Sequence, residues 1–204
     1  PVPADSQEVA LLLSPHAHAR IVSIDTSAAE TAPGVSAVVS AADIPGKNDI
    51  APVFSDEPLL ADGVAEYAGM PVVAVAADTY DLALSAAKLV RIEYEELAPV
   101  LSIEEAWEKE QFTYKPPRIV FGDAEAAIAK SINVVSGEVR CGGQDHFYLE
   151  SHIALAIPGE DRDITVHSST QHPTEVQHGV SHVLGVALND VTIEVRRMGG
   201  AFGG

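Results

Sequence analysis

Three stretches of this 204-residue chain carry groups suited to holding a ligand. Ser168-Ser-Thr-Gln171 ends a strand-like run in a neutral amide, just ahead of a helical pattern. An amide donates and accepts hydrogen bonds without adding charge. Arg197-Met-Gly-Gly-Ala-Phe-Gly-Gly204 is nearly naked backbone. Its N–H groups can approach an anion or an oxo group closely. Gly142-Gly-Gln-Asp-His-Phe-Tyr-Leu-Glu150 mixes flexible backbone with amide, carboxyl, imidazole and aromatic groups. The terminal glycine loop is not a P-loop, since no Lys-Ser/Thr follows in this chain, and it lacks the dinucleotide spacing. Taken alone, it reads as a tight connection between strands.

Other reactive side chains are weaker signals. His172, His178 and His182 form one cluster, in which His178 and His182 are four apart on a predicted helix and can share a zinc ion. Their spacing lacks the Glu that a zinc protease places after its first His, so a solvated helix face is the plainer reading. His16 and His18 flank Ala17 and read as loop or edge-strand residues, and His146 and His152 form a further loose pair. Asp56-Glu57 and Glu93-Tyr-Glu-Glu96 pair carboxylates. Acid/base work needs a concave, partly dry site, which nothing in the sequence supplies, so these read as exposed charge. Cys141 stands beside Gly142-Gly143 with Asp145 and His146 nearby. A buried structural thiol is its expected role.

Alternating strand and helix signals must position these groups. Strand character falls at 9–13, 20–24, 35–39, 71–76 and 91–95. Pro33-Gly34 turns into the third of these. A helix is predicted from Asp78 or Thr79 to Val90, with Leu82, Ala86, Leu89 and Val90 on its buried face. Residues 103–107 suit one helical turn, 111–117 an irregular stretch and 121–130 a short helix. Pro116 and Pro117 exclude regular structure where they stand. Further strands are expected at 134–140, 152–157, 164–168 and 191–196. The helix from Pro173 to Leu184 has Pro in its first turn and Gly185 just past its end. Val176, Val180, Val183 and Leu184 form its apolar stripe. Strand–helix–strand order implies an α/β or α+β layer.

Composition narrows the function. Thirty acidic against 12 basic residues give a formal charge of -18. Such a surface repels phosphate backbones and anionic headgroups, so neither nucleic acid nor a membrane is an expected partner. No apolar run approaches the ~20 residues that span a bilayer. One cysteine excludes an internal disulfide framework and a Cys-ligated cluster, and fits a cytoplasmic setting. The chain begins without Met and stops in a loop that needs walls, so a piece of a longer or split protein is expected.

In this order, the segments resemble the molybdenum-cofactor subunit of the xanthine dehydrogenase/aldehyde oxidase family. Ser14-Pro-His-Ala-His-Ala-Arg-Ile-Val-Ser-Ile-Asp25, Pro33-Gly-Val-Ser-Ala-Val-Val-Ser-Ala-Ala-Asp-Ile-Pro45 and Val90-Arg-Ile-Glu-Tyr-Glu-Glu-Leu97 resemble its α/β hammerhead domain. Gly143 to Glu150, Ser169-Thr-Gln171 and Arg197 to Gly204 resemble its cofactor-domain signatures. Asn48-Asp-Ile50, Asp56-Glu-Pro-Leu-Leu-Ala61 and Asp145 to Glu150 are closest to the xanthine dehydrogenase branch. The implied fold is α+β, a hammerhead-type α/β domain followed by the beginning of a mixed α/β molybdopterin-binding domain. The expected boundaries are 1–107 for the hammerhead domain, 108–132 for a linker and 133–204 for the cofactor domain's N-terminal part.

The resemblance implies molybdenum-dependent hydroxylation of a purine such as xanthine, with water as oxygen source. The cofactor is molybdopterin with molybdenum. Electrons leave through 2Fe-2S clusters and FAD on partner domains or chains. Gln171, Gly200, Ala201, Phe202 and Gly203 match the family's cofactor-binding positions, with Gln171 and Phe202 nearest the molybdenum. Many members have Gly where Ala201 stands, so Ala201 requires a negative φ. Phe147 and Tyr148 are expected in the core, supporting the pocket. The base Glu and the substrate-binding Arg and Glu are expected beyond Gly204, so no catalytic residue is assigned here. Expected partners are the remaining molybdopterin-domain chain, an iron–sulfur/FAD subunit and a purine or aldehyde substrate. The alternatives are an aldehyde- or other heterocycle-oxidising relative, a non-catalytic scaffold module and a His-based zinc hydrolase.

Overall fold

A computed structural model of the chain describes residues 3–115 and 117–202. Its described residues divide into two units. The first comprises the chain up to Pro99 together with Tyr148–Ala201, and the second centres on Val100–Phe147.

In the first unit, β1 (Glu8–Leu13), β5 (Pro71–Ala77) and β3 (Val35–Ser40) form an antiparallel sheet with β5 in the middle. A second antiparallel sheet orders β4 (Val64–Ala65), β2 (Ala19–Asp25) and β6 (Arg91–Glu96). Val72, Val73, Val75 and Ala77 of β5 are all fully buried. The apolar run therefore covers both faces of the central strand, as in a doubly packed sheet. Helices α1 (Ser27–Glu30) and α2 (Tyr80–Ala87) pack beside it. Each buried Val contributes about 1.5–3 kcal/mol. Thr79 caps α2 by accepting from the Leu82 N–H at 3.3 Å.

The helix is rotated from the sequence expectation. Ala83, Ala86, Ala87 and the following Val90 are buried, whereas Leu82 and Leu89 stand partly in solvent. Alanines let the helix lie close against β5, where leucines would hold it off. Asn48 pins the loop after β3 by donating to the Leu60 carbonyl and accepting its N–H.

The rest of the first unit is a smaller sheet and one long helix. Strands β7 (Ala154–Pro158), β8 (Ile164–Ser168) and β9 (Val191–Glu194) lie in that order. β7 and β8 are antiparallel; β8 and β9 are parallel. Helix α5 (Pro173–Leu184) makes the β8-to-β9 crossover. Its stripe of Val176, Val180, Val183 and Leu184 is half-buried, and Gly185 ends it at φ 65°. Only glycine adopts that angle readily.

The second unit carries α3 (Ile103–Glu108) and α4 (Ala124–Lys130), each with a side-chain cap, from Ser102 and Asp123. The strand expected at 134–140 is absent: the segment is exposed and without regular pairing. Among the described residues of the unit, no strand offers it an edge. Phe147 and Cys141 are exposed, contrary to the expected core positions. Phe147 also has φ 48°, which suits a loop and not a strand. Pro116 lies outside the described residues.

Candidate functional site

The strand ends of the β7–β8–β9 sheet supply the site. Because β8 and β9 run parallel, Ser169–Gln171 and the segment after Glu194 leave the sheet at the same end. The carboxyl ends of adjacent parallel strands are where α/β sheets hold ligands.

Gln171 occupies the bend between β8 and α5 and is exposed. The chain around it is fixed from both sides. Ser169 accepts the Ile153 N–H at 2.8 Å through its hydroxyl, while its own N–H donates to the Ile153 carbonyl at 3.0 Å. The Thr170 hydroxyl accepts the His172 N–H at 3.0 Å. His172 then caps α5, its Nδ1 accepting from the Glu175 N–H at 3.2 Å. Pro173 follows at the first helical turn, where a missing N–H costs no helical bond. Accepting at Nδ1 requires that nitrogen to carry no proton.

Further along, Gln177 ties α5 to the start of β9. Its Nε2 donates to the Val191 carbonyl at 2.7 Å and the Leu188 carbonyl at 3.1 Å. The strand before the glycine segment and the helix after the amide are thus bolted together.

The glycine segment has a carboxylate against it. A Cβ on Gly199 would lie 2.3 Å from Glu150 Oε2 and 2.5 Å from Oε1. A side chain at this position would have to displace the Glu150 carboxylate. Gly200 is half-buried and Ala201 exposed. Among the described residues, positive φ outside glycine occurs at Glu110, Phe147 and Asp161, so Ala201 meets the requirement set above. Phe202 is exposed and belongs to the second unit, and Gly203 lies outside the described residues.

One face of the sheet opens into a cleft of about 550 Å³, lined by Glu150, Leu155, His167, Glu194, Arg196 and Arg197 among others. Leu155, His167 and Glu194 form a row across the three strands. His167 Nδ1 lies 3.2 Å from Glu194 Oε2. Glu150 and Ser169 were not singled out individually by the sequence, and His172 stood out only as a member of a histidine cluster. Their remaining signal was their place within or beside the two motifs.

The remaining candidates are not brought into this site. His178 and His182 face each other edge-on, 6.1 Å between ring centres. Among the described residues no group of three His, Cys, Asp or Glu converges on a metal position. The His16 ring lies tilted against Tyr94, 4.7 Å between ring centres, and 3.5 Å from Glu96, in the other sheet. Tyr94 is pushed above its ordinary pKa by burial, partly opposed by Ser14. Glu95 pairs with Arg20, and all three carboxylates of the Glu93–Glu96 run are exposed.

The crossover helix thus leaves an amide and a bare backbone segment at one end of a sheet in an α+β fold. Comparison with known proteins makes the class specific. Residues 2–98 match the family model for the aldehyde oxidase and xanthine dehydrogenase a/b hammerhead domain. Residues 107–204 match that for the molybdopterin cofactor-binding domain. The chain is 46% identical over 188 residues to xanthine dehydrogenase of Dictyostelium discoideum, covering 92% of this chain and 14% of that protein. It is 42% identical over 207 residues to aldehyde oxidase 4 of Cavia porcellus, covering 100% of this chain and 15% of that one. Among solved structures, aldehyde oxidoreductase from Desulfovibrio gigas superposes with a TM-score of 0.84 at 27% identity, over 99% of this chain and 24% of that one. The chain belongs to the aldehyde oxidase/xanthine dehydrogenase family of molybdenum hydroxylases. It spans about one-seventh of the length of such curated relatives.

The residues present fit the family's cofactor. A neutral amide can donate to an oxo group without repelling an anionic centre. Gly199, Gly200 and Ala201 carry little or no side chain, which leaves the segment's backbone as its main hydrogen-bonding surface. The first turn of α5 directly follows Gln171, and the positive end of the helix favours negative charge there.

Proposed function

We propose that this chain forms part of the cofactor pocket of a molybdenum hydroxylase that oxidises a purine such as xanthine. In this reading Gln171 would hold the cofactor through its neutral amide, as a hydrogen-bond donor that adds no charge. Gly200 and Ala201 would give backbone contacts to the cofactor, and the resemblance assigns Phe202 and Gly203 to the same motif. When bound, the cofactor supplies the oxidising metal centre that places oxygen from water on a substrate carbon. The balance is substrate C–H plus water giving C–OH, two protons and two electrons. The electrons leave through iron–sulfur and FAD groups on partner domains or chains. The protein residues orient and hold; the general base and the substrate's charged anchors belong to other parts of the full protein. A cytoplasmic setting suits a chain whose single cysteine, Cys141, is exposed and free.

The observation that carries this reading is the parallel β8–β9 pairing, which sends an exposed amide and a glycine segment out of one sheet end. The purine branch rests on the Asn48–Ala61 segment and on similarity to xanthine dehydrogenases. The comparable identity to an aldehyde oxidase favours aldehydes as the second reading. Gln171→Ala in the full-length protein lowers molybdenum content or turnover while circular dichroism stays unchanged. Parental values for both would remove Gln171 from the pocket. Xanthine turned over in preference to an aldehyde decides for the first branch, and the reverse for the second.

A further inference from the structure

The C-terminal end of α5 is completed by a distant part of the chain. A helix leaves its last four carbonyls, here Ser181 to Leu184, without partners of their own. The Ser181 carbonyl accepts from the N–H of Gly185 and of Val186, the latter at 3.1 Å. Those of His182 and Val183 are filled from the loop after β3. Lys47 N–H donates to His182 at 2.8 Å, and Gly46 N–H donates to Val183 at 2.9 Å.

The fit permits no side chain at the meeting point. A Cβ on Gly46 would lie 2.1 Å from the His182 carbonyl oxygen, 2.8 Å from that of Val183 and 2.6 Å from the Gly185 nitrogen. All three are backbone atoms, so none can swing aside. A Cβ on Gly185 would in turn meet Gly46 Cα at 3.4 Å. Two bare positions therefore face each other across the junction. Asn48, next along the loop, is itself clamped to Leu60.

From this geometry we infer that the 45–47 loop is a positioning latch for Gln171. It sets where α5 stands along its own axis, and through the helix where the amide ahead of its first turn points. This rests on the role proposed for Gln171. A helix of this length is a stiff rod of roughly 18 Å, so a shift at one end reaches the other nearly undiminished. Gln177 already fixes the rod sideways against β9. The latch supplies the axial stop, and Gly46 and Lys47 act as positioning residues through their backbone alone.

Hydrogen–deuterium exchange on the unmodified full-length protein gives the first test. The Gly46 and Lys47 amides are expected to exchange as slowly as those inside α5. Exchange at the rate of an open loop would overturn the latch. The second test is Gly46→Ala, with the milder Gly185→Ala beside it should the first fail to fold. Gly179→Ala, where nothing lies within 4 Å of the added methyl, is the control on the same helix. Displacing a positioned group by ~1 Å costs on the order of 10²-fold in rate. Gly46→Ala is therefore expected to lose protection at 46–47 and to lower kcat by about that factor, with KM and molybdenum content held. Gly185→Ala should show a smaller loss of the same kind, and Gly179→Ala none. Lost protection with parental kcat would overturn the proposal. A Gln171→Ala variant with parental properties would instead sink the role of the amide and leave the exchange result standing.

Discussion

Residues up to Pro99 and the stretch from Val100 to Phe147 use similar apolar side chains to opposite ends. The first bury Met70, Val72, Val73 and Val75 almost completely, between two sheets and an alanine-faced helix. The second leaves Ile119, Phe121, Ile132 and Val135 at least 96% exposed. Its helices α3 and α4 contain no buried residue at all. Helix formation in that stretch rests on local capping, whereas α2 is held by a core. The lesson is that a strand or helix pattern states an ability to pair or pack, and the fold must still supply the partner.

Truncation at a buried and at a bare position breaks or confirms that contrast most directly. Met70→Ala should lower the stability of the 204-residue chain by about 2–5 kcal/mol, read from urea unfolding. Phe121→Ala should change it by no more than about 0.5 kcal/mol. A comparable loss at both positions would mean that the second region has a core of its own.

The helix caps offer a finer comparison. Thr79→Ala removes the bond to the Leu82 N–H and should cost about 1 kcal/mol of global stability, because α2 melts only with its sheet. Asp123→Ala removes an equivalent bond to Ala126, at 2.9 Å, from a helix with no buried face. It should reduce helical circular dichroism slightly and leave the unfolding midpoint where it was. A shifted midpoint would tie α4 to the cooperative core.

Acid titration gives the smallest effect. Ser40 holds Asp43 below the usual carboxylate range, first through its N–H and then through its hydroxyl. Ser27 lowers Asp25 first through its hydroxyl and then through its N–H, and Ser55, then Ala51, lower Asp49. A depressed carboxyl contributes its stability fully above the unfolded-state pKa and loses it as pH falls through the folded value. The urea midpoint should therefore decline between about pH 5 and pH 2. Asp43→Asn should flatten a small part of that slope. An unchanged slope would show these turns to be open in solution.

Much of the first region was legible because its signals are local. The apolar run at 71–77, the Thr79 cap and the Pro33-Gly34 turn each act within a few residues. The two-residue β4 escaped because so short a strand has no period to read. The rotation of α2 escaped too, since hydrophobicity ranks Leu82 above Ala83 while close packing against β5 prefers the smaller side chain. At the site, the Gln171 and glycine motifs stood out by composition. The clamps on them, Ser169 to Ile153 and Glu150 against Gly199, join residues whose pairing no spacing rule announces.

The sequence alone determined which groups are available: a neutral amide ahead of a proline-started helix, and a run of glycines after a strand. These follow from side-chain chemistry and backbone freedom, which belong to single residues. Only the tertiary structure decided that the two leave the same end of a sheet, because that depends on the parallel register of β8 with β9. It alone also set Gly46 against the last turn of α5. Such a contact arises when separate elements are packed to near-crystalline density, and no residue's type or spacing encodes where a distant backbone will pass.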